Sequence, residues 1–251
     1  MERGLGIGCW LLAVGFLLCG QSVKAQSDDF GIWSEVNVEK KISSRWSADA
    51  GVEYRSRDNA SEADRWSLGA DVSYKMTDWL KASVGYTLLN DNNYKVNDSG
   101  KKYAEYWGLR HRFNVSLTAS KSFGNLSVSL RERWQYTYRP EKTVTRYYVN
   151  TTNSHDAGDE ADEHTYSSKS KNVWRNRLQL KYKVSKMWRP YLNAESTVSD
   201  GLEKIRYAAG TEIRLTKQHW LDVKYIFQKS YGDDDDEGNR HIIGLGYTFK
   251  F

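Results

Sequence analysis

The sequence has only two cysteines in 251 residues, Cys9 and Cys19, and both fall within the first twenty positions. From residue 26 onward there is no thiol, so an exported domain beginning there depends on packing, metal or membrane rather than disulfides for stability. Long apolar runs are missing too: after the N-terminus nothing approaches the roughly 20 consecutive apolar residues of a membrane-crossing helix. Proline occurs twice, against 10 Trp, 17 Tyr and 7 Phe, a composition far too aromatic for a disordered chain. An excess of one charge is also lacking, since the formal net charge is +5 and falls by one if Glu2, Arg3 and Lys24 are removed. That mild excess predicts no nucleic-acid partner. The length fits one large β-domain or two small ones. A mean hydropathy of −0.75 suits a soluble protein, and it conflicts with the aromatic load.

The first 25 residues carry a charged start at Arg3, an apolar stretch over 5–18 and a small-residue end at Val23-Lys24-Ala25. This pattern predicts a secretory signal peptide over 1–25, cleaved after Ala25, with the exported domain over 26–251. Cys19 imitates an acylated cysteine, but Leu18 stands where a small residue is required.

The remainder alternates with period two. Trp46, Ala48, Ala50, Val52 and Tyr54 oppose Ser47, Asp49, Gly51 and Glu53. Trp66, Leu68, Ala70, Val72 and Tyr74 repeat the pattern, and segments beginning near Leu80, Trp107, Leu126, Trp174, Leu192, Ile205, Leu221 and Ile243 follow it. With Phe30–Val38 this gives eleven candidate strands of about ten residues. A tilted membrane-crossing strand needs about 9–11 residues, whereas strands of soluble proteins average about five or six. Trp and Tyr recur at the strand ends, as interfacial girdles require. The opposite face of Gly, Ser, Thr, Asn and charge does not suit the core of a soluble sandwich. The expected fold is therefore an all-β, antiparallel up-and-down transmembrane β-barrel. Even strand numbers are the rule for bacterial barrels, so about twelve strands (10–12) are expected: either the N-terminal stretch is not a full strand, or, as favoured, one more is hidden, for instance in a long loop over 139–170. Short turns alternate with longer loops, which predicts periplasmic turns, extracellular loops and a periplasmic C-terminus.

Tyr247, Phe249 and Phe251 alternate to a terminal aromatic, resembling the signal read by the outer-membrane barrel assembly machinery. Phe30-Gly31-Ile32-Trp33 with Val38-Glu39-Lys40-Lys41, Arg110-His111-Arg112-Phe113, Arg175-Asn176-Arg177-Leu178 and Ile243-Gly244-Leu245-Gly246-Tyr247 together resemble the family of outer-membrane barrels labelled domain of unknown function 2490. The resemblance implies a barrel and a location, and no activity. The expected surroundings are outer-membrane lipid and lipopolysaccharide, around a monomer without cofactor.

Counting upward from the short turns places Arg110, Arg112, Arg131, Arg133, Arg175, Arg177, Arg206 and Arg240 on the lumen face, toward the outer mouth. Asp49, Asp71, Glu212 and Asp222 fall lower, near Lys81 and Lys181. Two readings stay open. Rings of Arg favour anions in pores, giving a narrow passive channel for small, anionic solutes. The same charges equally suit an internal network that fills the lumen and gives the barrel a structural role. An outer-membrane hydrolase, or a surface-binding protein acting through 139–170, is the alternative. His111 and Ser116 fall on opposite phases and cannot form a dyad, while His155, Asp156, Asp159, Asp162 and His164 have the residue types without a motif. No catalytic residue is assigned. Asp233, Asp235, Glu237 and Gly238 imitate half of an EF-hand loop, but Gly244 stands where the bidentate Glu belongs, and no metal site is predicted.

Overall fold

The computed structural model describes residues 28–149, 159–231 and 238–251. The predicted signal peptide, His155, Asp156 and the acidic run from Asp233 to Glu237 lie outside the described residues. Within them are thirteen strands: β1 (Asp29–Lys41), β2 (Trp46–Arg57), β3 (Glu62–Lys75), β4 (Leu80–Val96), β5 (Lys102–Phe123), β6 (Leu126–Arg139), β7 (Lys142–Tyr148), β8 (Glu160–Tyr166), β9 (Lys169–Tyr182), β10 (Trp188–Val198), β11 (Leu202–Arg214), β12 (His219–Ser230) and β13 (Arg240–Lys250). All except β7 and β8 pair in a continuous ring, in which β4 joins β5, β6 joins β9 and β1 joins β13.

The wall thus has eleven strands, between the ten and twelve expected. An even number is not needed, because β1 and β13 run parallel, from Asp29 opposite Arg240 to Glu39 opposite Lys250. In a meander with an odd number of strands the first and last point the same way, and a parallel pair is the only closure available. Two ion pairs span this seam at opposite ends: Arg240 Nε to Asp29 Oδ2 at 2.9 Å and Lys250 Nζ to Glu39 Oε2 at 2.5 Å.

The strand sought within 139–170 corrects a second expectation. That segment is not simply a loop, since it contains β7 and β8. These pair with each other and ladder onto the wall where Lys102 and Tyr103 of β5 meet Tyr148 and Tyr147, while Tyr166 stacks on Tyr106 and Lys142 donates to the carbonyl of Trp107. The hairpin stands beyond the ring as an extension of β5. Its polar composition hid the strands from a search for apolar alternation: Glu160–Tyr166 reads EADEHTY. Likewise β4 and β5 continue far past the wall, so that the connection between them is only 97–101. Length at this end comes from overhanging strands, the hairpin and the 231–239 connection. The opposite end is closed by the turns 42–45, 76–79, 124–125, 183–187 and 215–218. Gly124, with φ of 60°, makes the tightest of these possible.

The outer surface follows the alternation. Leu68, Trp66 and Val84 are more than half exposed, at 57, 53 and 57 %, which is the burial pattern of a wall that faces lipid. The aromatics sit as cross-strand pairs at two levels: Trp46 against Tyr74 with ring centres 4.7 Å apart, and Tyr54 against Trp66 at 4.5 Å. Eight residues separate the levels along β2. At about 3.3 Å per residue and a tilt near 40° that is roughly 20 Å of height, close to the apolar band of roughly 25 Å in such barrels.

Two outcomes are expected from this architecture. Val36 pairs with Val52 on one side and Tyr247 on the other, so Val36→Pro removes a donor from a strand bonded on both flanks. Heat-modifiable gel migration should be lost in this variant; a retained shift would mean the seam does not close the barrel. In the hairpin, hydrogen bonds from Arg146 hold the Asp162 carboxyl below the usual carboxylate range. A depressed carboxylate stabilises fully above its unfolded pKa near 3.8 and loses that contribution as pH falls through its folded value. Amide protection of β7 and β8 should therefore be flat at neutral pH and fall in acid, whereas Arg146→Ala lowers it already at neutral pH.

Candidate functional site in the barrel lumen

Side chains on the inward phase divide the lumen into two chambers. The lower, of about 530 Å³, is lined by the acids Asp49, Asp71, Glu212 and Asp222 together with Arg131, Arg133 and Arg177. The upper, of about 470 Å³, is lined by Arg110 and Arg240, and by Arg57, Arg65 and Lys171. Trp33, Arg55, Arg112, Arg175 and Arg206 border both and form the partition. The eight arginines read from the sequence all line the lumen, but not as one layer. Three stand with the acids below, three in the partition and two above. Strand stagger around a sheared barrel displaces residues that lie equally far from their turns.

The partition is built around Trp33. Its indole points inward from β1, is 8 % exposed, and packs with Ala208, Ile226 and Ile242 in a small apolar cluster inside the tube. Arg55 lies over the ring with its guanidinium carbon 3.8 Å from the centre, and Arg206 approaches at 5.2 Å. Both are cation–π contacts. Arg55 is oriented by Glu53, which accepts from its Nε at 2.8 Å and its Nη2 at 3.0 Å.

Glu195 on β10 holds the next layer. It accepts from Arg131 Nη2 at 2.6 Å and from Arg175 Nε at 3.1 Å, and Arg206 Nη1 lies 3.8 Å away. One carboxylate thus faces three guanidiniums from β6, β9 and β11. In the upper chamber Asp91 plays the same part, ion-paired with Arg110 at 2.8 Å and with Arg65. Gln135 and Gln228 complete the set, accepting from Arg175 Nη1 at 3.4 Å and Arg206 Nε at 2.7 Å. Near the floor Lys181 pairs with Glu212, while Asp222 accepts from Tyr191 at 2.8 Å and Lys224 at 3.0 Å.

Other charges have no such partner. Among the described residues Arg112, Arg133 and Arg177 have no carboxylate oxygen within 4.0 Å. Arg133 donates to Ser116 at 2.8 Å and Arg112 to Thr137 at 3.4 Å, and Arg177 Nε is buried without an acceptor. Asp49 and Asp71 face one another in register across β2 and β3, with no hydrogen bond or ion pair among the described residues.

Trp33, Arg55, Arg65, Asp91 and Glu195 are the functional candidates that sequence reasoning missed. Arg55 follows Tyr54 on the lumen phase of β2, one residue beyond the last aromatic, and Glu195 follows Ala194 on the lumen phase of β10, so carrying the alternation through each strand finds them. Asp91 lies past Leu88, where the apolar alternation that begins at Leu80 turns polar although β4 runs on to Val96. The remaining candidates among the described residues are not brought together. His111 faces outward and shares a 2.8 Å hydrogen bond with Tyr86, while Ser116 faces inward. His164 packs edge-on against Tyr166. Among the described residues no group of three His, Cys, Asp or Glu could hold a metal ion.

Removing the Glu195 charge leaves three guanidiniums in the wall without their anion, and breaking a buried pair of this kind costs about 3–5 kcal/mol. Glu195→Gln should therefore unfold at clearly lower denaturant when titrated in lipid vesicles. An unchanged midpoint would show that water, not Glu195, balances the cluster.

Solved structures confirm the architecture. The beta domain of the Bordetella autotransporter BrkA superposes with a TM-score of 0.50 at 14 % identity, covering 80 % of this chain and 79 % of that one. The translocator domain of the autotransporter NalP from Neisseria meningitidis gives 0.52 at 12 % identity, with 76 % and 72 % covered. At such identities the likeness is one of fold, that of an outer-membrane β-barrel. No curated protein matches the sequence. The model of one family covers residues 30–239, and the chain belongs to that family, described as Protein of unknown function (DUF2490).

Proposed function

We propose that this protein is a narrow, non-catalytic passage through the outer membrane for small solutes that carry an anionic group. The observation that carries this reading is the charge of the upper chamber, whose lining holds eleven lysines and arginines against three carboxylates, Asp64, Asp91 and Glu203, even though Arg55, Arg57, Arg175, Arg206 and Arg240 also reach Glu53, Glu62, Glu195 and Asp29 beyond it. A cleft of one sign with low-dielectric walls concentrates counter-ions, and rings of Arg and Lys in a pore favour anions and phosphates. Below it the partition narrows the path to guanidiniums and one indole. Arg112 is the side chain best suited to meet a passing anion, since it lines both chambers and has no carboxylate partner among the described residues. The apolar and aromatic outer surface supports contact with lipid and lipopolysaccharide on all sides of a single barrel. The separation of His111 from Ser116 supports a non-enzymatic role.

The ion pairs around Glu195 and Asp91 support a second reading, in which the network fills the lumen and serves only to stabilise the wall. Planar-bilayer recording under a potassium chloride gradient separates the two. Discrete single-channel currents with a reversal potential on the chloride side are expected, and Arg112→Gln should move that potential toward zero. A silent protein, or one whose ion preference ignores Arg112→Gln, would establish the structural reading instead.

A further inference from the structure

The charges of the lower chamber that lack partners are sorted by strand. Its other ionic side chains are paired: Arg131, Arg175 and Arg206 with Glu195, Arg55 with Glu53, Lys181 with Glu212, and Lys224 with Asp222. Glu35 accepts from Asn37 at 2.7 Å. What remains is an acidic wall, Asp49 on β2 and Asp71 on β3, and a guanidinium wall, Arg112, Arg133 and Arg177 on β5, β6 and β9. Both walls line one cavity of about 530 Å³, yet no nitrogen of one comes within 4.0 Å of an oxygen of the other. Lys81, on the same strand as Gly85, makes no ion pair with either acid among the described residues.

Glycines surround the acids. Gly51 and Gly69 face each other directly above the Asp49–Asp71 pair, and Gly85 is opposite Asp71 on β4. An added Cβ at Gly85 would fall 2.1 Å from Asp71 Oδ1, so the glycine gives the carboxylate room to lie across β4. On the other wall the buried Nε of Arg177 has no acceptor among the described residues. Two like charges side by side and an unmet guanidinium are each costly in a confined, partly dehydrated space. A simple anion relieves only the arginines, and a simple cation only the aspartates. A molecule bearing both charges a few ångströms apart relieves both.

We propose that the lower chamber binds small zwitterions, such as free amino acids or dipeptides, with their carboxylate on Arg133 and Arg177 and their ammonium between Asp49 and Asp71. Charge-assisted hydrogen bonds at both ends supply the affinity, and the chamber volume falls in the range of small-molecule sites. The site rests on the reading above, that solutes reach the lumen, and it makes a zwitterion, not a bare anion, the preferred occupant.

The test is calorimetric titration of the full-length folded barrel in detergent with three probes of similar size: alanylalanine, N-acetylalanine (anion only) and alaninamide (cation only). Alanylalanine should bind at least about tenfold more tightly than either control, the loss expected when a charged hydrogen bond of about 1.4 kcal/mol is removed. The preference over N-acetylalanine should vanish in Asp49→Asn/Asp71→Asn, with heat-modifiable migration checking that the variant folds. Arg177→Gln should weaken alanylalanine and N-acetylalanine together. Equal binding of alanylalanine and N-acetylalanine by the wild type overturns the proposal, as does an unchanged ratio in the double aspartate variant or no binding of any probe. Zwitterion binding without bilayer current would keep this site and discard the passage; current without zwitterion preference would do the reverse.

Discussion

The pairing of β1 with β13 is the contact on which the rest of the molecule depends. In lipid an open sheet edge would leave a row of unpaired N–H and C=O groups with no water to meet them, and only a closed ring avoids that. Here closure is made between the two ends of the described chain, over eleven residue pairs, and is held at each end by an ion pair. Arg240 shows how closure and lumen share residues: it borders the upper chamber and also fastens the first strand to the last. Once the ring is closed, every second side chain is committed to a space about two small chambers in size, and the chemistry of the lumen follows from that confinement.

Confinement favours arrangements in which one carboxylate serves several guanidiniums. Glu195 and Asp91 each sit among arginines from different strands: Asp91 links β4 to both of its neighbours, and Glu195 links β10 to both neighbours and, through Arg131, to β6 one strand further. A planar guanidinium suits this place better than an ammonium, because it can donate to a carboxylate with one edge and stack on an indole with its face. Arg55 does both, lying over Trp33 while it donates to Glu53. The unpaired groups of the lower chamber stand out against this background, since neighbours on the same walls are neutralised so thoroughly.

Much of this was legible in the alternation of residues. The wall strands, their lipid-facing phase, the aromatic levels and the lumen placement of the arginines all follow from a side-chain period of two, which is local and fixed by the backbone. What escaped were features set by pairing between strands. The number eleven depends on the first and last strands meeting in parallel, which no single segment encodes. The β7–β8 hairpin stands outside the wall, so nothing required its sequence to alternate in polarity. Trp33 and Tyr191 defied their type: most wall aromatics mark the lipid face, and only the odd-numbered position of Trp33 beside Glu35 and Asn37, and of Tyr191 beside Asn193 and Glu195, shows that they point inward. Heights counted from the turns blurred because stagger accumulates around the ring, which merged three arginines into the level of the acids.

An odd meander has one more consequence, for sidedness. β1 begins beside the start of β13 and ends at a short turn, so Asp29 and Lys250 lie at opposite mouths of the tube. The end of β13 lies at the mouth with the short turns, and the start of β1 lies at the mouth with the long connections. The two ends of the parallel seam therefore face opposite sides of whatever bilayer the ring spans. Closure of the ring and passage of one end of that seam across the bilayer become one event, completed only when β13 meets β1.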